Sequence, residues 1–122
     1  MAGKFLIVGI GGALGAMARY GISLAFEALH WSAQIATMST NILGSLLMGL
    51  LVSLSLQQPL LLLATVGFCG GFTTFSTFSV QCMHYIQTGN WSAAVLYMLA
   101  TLILCVACAF IGYHIGNHIL HP

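Results

Sequence analysis

Few residues in this 122-residue chain can do chemistry, and those few fall in a pattern. Phe75 and Phe78 are three apart, with Ser76 and Thr77 between them. On a helix that spacing makes the two rings neighbours on one face. Such a pair alone is ordinary packing, but two hydroxyls beside it change its meaning. An aromatic ring is negative over its face and positive at its edge. Two ring edges therefore tolerate a small anion without gripping it, and conduction needs that balance of entry and release. Asn41 reads as the one Asn or Gln central to an apolar stretch, with Thr37 a turn before it on the same face. A carboxamide in an apolar medium is costly unless paired, so Asn41 either bonds a neighbouring helix or donates to a passing anion. Arg19 is a lone guanidinium within an apolar run. An isolated charge in hydrocarbon costs about 3 kcal/mol or more. That leaves three readings for Arg19: attracting anions to a vestibule, reaching for the interface, or pairing with Glu27.

Enzymatic chemistry has little to work with. Glu27 is the sole carboxylate and lies toward the end of an apolar run. No span centre holds the Asp, Glu or His that proton relays use, which argues for passive conduction over proton-coupled transport. His114, His118 and His121 have a spacing that can hold a metal. They lack an acidic or cysteine neighbour in sequence, and a wet helix end is the preferred reading. Cys105 and Cys108 have redox-motif spacing without the βαβ setting that would give it force. With Cys69 and Cys82 they read as small apolar packing residues. A net charge of +1 argues against nucleic acid as a partner.

The elements that must position these residues follow from composition. The chain is 60% hydrophobic and 2% charged, against about 25% charged in an average soluble domain. It reads as an integral membrane protein whose solvent is the lipid bilayer. A spanning helix needs about 20 apolar residues, and four stretches qualify: residues 4–26, 33–56, 59–87 and 91–117, forming one four-helix transmembrane domain over 1–122. The first resembles a signal peptide at its start but runs on past Arg19, and is read as an uncleaved helix. Trp31, Tyr85 and Trp91 flank span ends, where amphipathic rings favour the interface.

The third stretch is longer than a straight span needs and carries Gly70-Gly71. Glycine weakens a helix by about 1 kcal/mol per residue. The expectation is a third helix broken at mid-membrane, its freed carbonyls buried in protein or lining a polar path. Small residues four apart, such as Gly11 and Gly15 or Gly112 and Gly116, predict close helix packing. Lys4 and Arg19 lie toward opposite ends of the first span, so the basic-residue signal for orientation nearly cancels. Dual topology is expected, with opposed copies pairing as an antiparallel homodimer.

Three stretches together closely resemble the Fluc (CrcB) family of small fluoride channels, over essentially the whole chain. They are Gly11-Gly12-Ala13-Leu14-Gly15-Ala16-Met17-Ala18-Arg19-Tyr20, Asn41-Ile42-Leu43-Gly44, and above all Gly67-Phe68-Cys69-Gly70-Gly71-Phe72-Thr73-Thr74-Phe75-Ser76-Thr77-Phe78. The resemblance implies an all-α antiparallel dual-topology dimer with two pores. It implies that Phe75 and Phe78 line the fluoride path, that Asn41 donates a hydrogen bond, and that Ser76 and Thr77 form a polar track to which Thr37 and Tyr97 add hydroxyls. Arg19 would match a vestibule arginine. A structural sodium ion at the dimer centre would be held by the backbone carbonyls of Gly70 and Thr73 from both chains; oxygen ligands suit a hard cation.

Two positions depart from the family pattern: an acid is common where Gln81 stands, and Ala36-Thr37 replaces a Gly-Thr pair. Gln81 is expected at the pore mouth. The implied function is passive export of cytoplasmic fluoride across a bacterial membrane, down its electrochemical gradient. A small multidrug transporter would need a membrane-embedded carboxylate, which is missing here. A structural subunit without transport is the third class weighed.

Overall fold

A chain in lipid satisfies its backbone locally by forming helix. A computed structural model, describing residues 1–122, is helices and short links with no strand. α1 (Ala2–Ala28), α2 (Ala33–Ser53) and α6 (Trp91–Leu120) are continuous. The third stretch comes in pieces: α3 (Leu60–Leu62), a π-helical segment (Leu63–Cys69), α4 (Gly70–Phe72) and α5 (Phe75–Gln87). Four units, Ala2–Ala28, Ala33–Ser53, Leu60–Gln87 and Trp91–Leu120, are long and apolar enough to cross a membrane.

The short links explain where the helices stop and start. Ser32 caps α2 by accepting from the Ile35 N–H at 3.2 Å. Asn90 does the same for α6, accepting from the Ala93 N–H at 3.3 Å. Between α5 and α6, Gly89 takes a positive φ of 76°, the left-handed state that glycine adopts without strain. The Gly89 N–H then bonds Ile86 and the Asn90 N–H bonds Tyr85, which closes the last turn of α5 in a Schellman arrangement.

α2 packs most extensively on α6, while α1 lies against the π-helical segment and α4. Both seams bring backbone onto backbone. A Cβ on Gly112 would run into the Leu46 carbonyl, and one on Gly15 into the Phe68 carbonyl. Helices in lipid gain association energy from this kind of close van der Waals approach.

The interior is more polar than the outside. Thr37, Thr40, Asn41, Thr65, Gln81 and Thr101 are buried, whereas Leu6, Leu96, Leu102 and many other large apolar side chains are exposed. A lipid-facing surface requires this inversion.

The third stretch carries the Gly70-Gly71 pair, yet both glycines are helical. The extended residues are Thr73 (ψ 156°) and Thr74 (φ −146°, ψ 117°). The glycines serve packing instead: a Cβ on Gly71 would meet the Gly12 backbone. Helix propensity is a weak local preference, and a tight seam outweighs it.

Candidate functional site

The two extended residues must bond somewhere, because buried backbone groups are almost always paired. α2 supplies the partner. Asn41 Nδ2 donates to the Thr74 carbonyl at 3.0 Å, and the Thr74 N–H donates to Asn41 Oδ1 at 2.8 Å. One carboxamide thus stands in for a neighbouring strand. Asn41 is 8% exposed. Its amide nitrogen carries two hydrogens, so one N–H remains for a further acceptor.

From that clip α5 begins. The Thr74 hydroxyl oxygen accepts from the Thr77 N–H at 3.2 Å and its proton goes to Thr77 Oγ1 at 3.1 Å. Ser76 Oγ lies 3.4 Å from the same hydroxyl. The first turn of a helix presents unpaired N–H groups and the positive end of its dipole. Phe75, Ser76 and Thr77 therefore stand exposed at an electropositive helix start, with Phe75 80% exposed.

The rings continue inward as a chain. Phe75 and Phe78 centroids are 5.6 Å apart at 52°, and Phe78 and Tyr97 are 5.1 Å apart at 53°. Tyr97 meets Tyr85 edge-on at 6.0 Å. Tyr97 in turn donates its hydroxyl proton to Gln81 Oε1 at 2.6 Å. Gln81 Nε2 donates to Thr37 Oγ1 at 3.0 Å. The fold therefore gathers Asn41, Phe75, Ser76, Thr77, Phe78, Thr37 and Tyr97 into one continuous region.

Two concavities flank it. One of about 280 Å³ is lined by Asn41, Ser45, Thr73, Thr74, Phe75 and Thr101, among others. The other, of about 260 Å³, is lined by Thr37, Thr77, Gln81 and the end of α1. Thr101 Oγ1 is buried and has no hydrogen-bond partner in the chain, an uncommon condition for an interior hydroxyl.

Arg19 stands apart from the rings. Its Nε donates to the Gly71 carbonyl at 3.2 Å, so the half-buried guanidinium is tied to the third stretch rather than to Glu27. Gly70 and Thr73 line a separate concavity with Gly44, Ser45, Thr65 and Cys69.

Gln81 is the residue whose importance the sequence understates. It lines the 260 Å³ concavity, and its side chain is buried and joins two hydroxyl residues on different helices. The available signal was its place inside the third apolar stretch, where an amide has the same need for partners as Asn41. Gln81→Leu is expected to strand the Tyr97 hydroxyl and lower stability by about 1–3 kcal/mol. A reduced Tm of the detergent-solubilised protein measures this. Tyr97→Phe added to Gln81→Leu should recover part of the loss, since the stranded group is then gone.

These features define a class: a multi-pass helical membrane protein with a buried amide and a ring-and-hydroxyl row around an extended link. The chain belongs to the CrcB-like (Camphor Resistance, CrcB) protein family, which it matches over residues 6–113. It is 45% identical over 116 residues to the fluoride-specific ion channel FluC of Magnetococcus marinus, covering 90% of this chain and 94% of that one. It is 38% identical over 113 residues to FluC of Saccharophagus degradans, covering 88% and 85%. Identity to FluC 1 of Listeria innocua is 43% over 115 residues, covering 93% and 97%. The chain is accordingly a multi-pass protein of a bacterial membrane and not an enzyme.

Proposed function

We propose that this protein is a fluoride-selective channel through which cytoplasmic fluoride leaves passively down its electrochemical gradient. The observation that carries the reading is the Asn41 clip on Thr74, which holds the exposed start of α5 beside the Phe75–Phe78–Tyr97 row. Fluoride is small and strongly hydrated, so a path for it must replace water with donors at close range. The spare Asn41 N–H, the Ser76 and Thr77 hydroxyls and the positive ring edges supply such donors. The names of the relatives point the same way.

The working unit in this reading is an antiparallel dual-topology homodimer of four-helix domains, with the third span interrupted at mid-membrane. Exposed Ser76 and Thr77 support it, because hydroxyls beside a helix start are poorly served by lipid alone. A structural sodium ion would be held by the carbonyls of Gly70 and Thr73. The donor chemistry fits. The Thr73 N–H bonds Cys69 and the Thr74 N–H bonds Asn41, so neither returns to the Gly70 carbonyl. Two oxygens from each of two chains would give a hard cation an all-oxygen setting. Dimer stability compared between sodium and potassium buffers tests the ion. Arg19, moored on Gly71, would place positive charge close to this link.

Efflux from liposomes is the decisive experiment. Fluoride efflux that ignores a proton gradient, with chloride retained, is expected. A small multidrug transporter would depend on the gradient. Phe75→Ile and Phe78→Ile are each expected to cut fluoride flux sharply while the dimer remains intact by size-exclusion chromatography. Wild-type flux in both variants would remove the rings from the path.

A further inference from the structure

Glu27 is the chain's only carboxylate, and its surroundings give it a job. It stands exposed in the last turn of α1. It lines the 260 Å³ concavity together with Trp31, Ser32, Thr37, Thr77 and Gln81. Three of those residues, Thr37, Thr77 and Gln81, belong to the hydroxyl row described above or hold it in place. No Lys, Arg or His lines the concavity. Arg19, the nearest cation on the same helix, lies eight residues earlier, about 12 Å along the axis. Its Nε is committed to the Gly71 carbonyl. The C-terminal end of α1 adds a partial negative charge of its own. A carboxylate without a counter-cation therefore faces the approach to the site.

We propose that Glu27 is a rate-setting residue of this mouth: its carboxylate depletes small anions from the concavity before they reach Thr37 and Gln81, so that ionic strength governs entry. The inference rests on the fluoride-channel reading and adds to it a throttle at one opening. A round space of 260 Å³ is about 8 Å across. Across that distance in water, one unit charge changes the local concentration of a monovalent ion about two- to threefold. The effect should be large at about 10 mM salt, where the screening length is about 30 Å, and small at about 1 M, where it is about 3 Å.

The test compares wild type, Glu27→Gln and Glu27→Lys in liposomes loaded with about 10 mM potassium fluoride, with and without about 1 M of an impermeant potassium salt. At low salt, flux is expected to rise about threefold in Glu27→Gln and further in Glu27→Lys. At high salt the three should converge. Equal rates at low salt, or a fall in either variant while wild type conducts, would overturn the throttle and leave the channel reading standing. Absence of fluoride flux in wild type itself would overturn that reading, and the inference with it.

Discussion

Gly15→Ala is expected to prevent the protein from assembling, and the reason is what a methyl group would meet. Gly15 is buried on α1. Its added Cβ would overlap the Phe68 carbonyl and lie 2.8 Å from the Phe72 amide nitrogen. Overpacking by side chains costs about 1–3 kcal/mol because rotamers adjust. Here the obstacle is main chain of the π-helical segment and α4, which cannot turn aside. The displaced strip is also the one that leads into Thr73 and Thr74, so the damage would reach the site. Gly9→Ala is the control, since a Cβ there meets nothing within 4 Å. In a helix interior alanine is better than glycine by about 1 kcal/mol, so Gly9→Ala should be neutral or slightly stabilising. The yield of monodisperse protein in detergent and its Tm measure both variants.

The same seam marks what the sequence makes legible. The four apolar units can be read from composition, because a bilayer allows only closed hydrogen bonding and a helix closes it locally. Helix starts at Ser32 and Asn90 are visible as capping residues before apolar runs. The close-packing glycines can be read as small residues four apart, although their partners cannot. What stays hidden is long-range. Arg19 and Gly71 are 52 positions apart, and Gln81 and Thr37 are 44 apart. No local pattern encodes such pairings.

The sequence narrows the extended link no further than the run before Phe75, for a related reason. Gly70 and Gly71 are the poor helix formers of that run. The link falls at Thr73 and Thr74, where a distant asparagine offers the backbone an alternative partner and Thr74 can cap α5. The π-helical turn from Leu63 to Cys69 has no sequence signal at all, being an extra residue accommodated within otherwise ordinary helix. Asn41 was legible as an amide in need of partners; that its partner would be main chain was not.

That partnership makes Asn41 the most sensitive side chain in the molecule. Asn41→Leu keeps the volume roughly constant and removes both hydrogen bonds to Thr74. The Thr74 N–H and carbonyl would then lie against hydrocarbon, at about 1–3 kcal/mol for each unsatisfied group. Two outcomes are open to the chain, and both abolish function. Either Thr73 and Thr74 become helical, turning Phe75 and Phe78 off their present face, or the link stays extended without its clip and the start of α5 loses its fixed position. Fluoride efflux is expected to fall to the level of protein-free liposomes. Asn41→Asp separates positioning from donation. An aspartic acid held neutral by its apolar surroundings still accepts from the Thr74 N–H and gives its one proton to the Thr74 carbonyl, which leaves nothing to donate to an anion. Its Tm should therefore fall less than that of Asn41→Leu while its flux is lost equally. Retained flux in Asn41→Asp would show that the amide's donor side is not needed, and Asn41 would then be a clip alone.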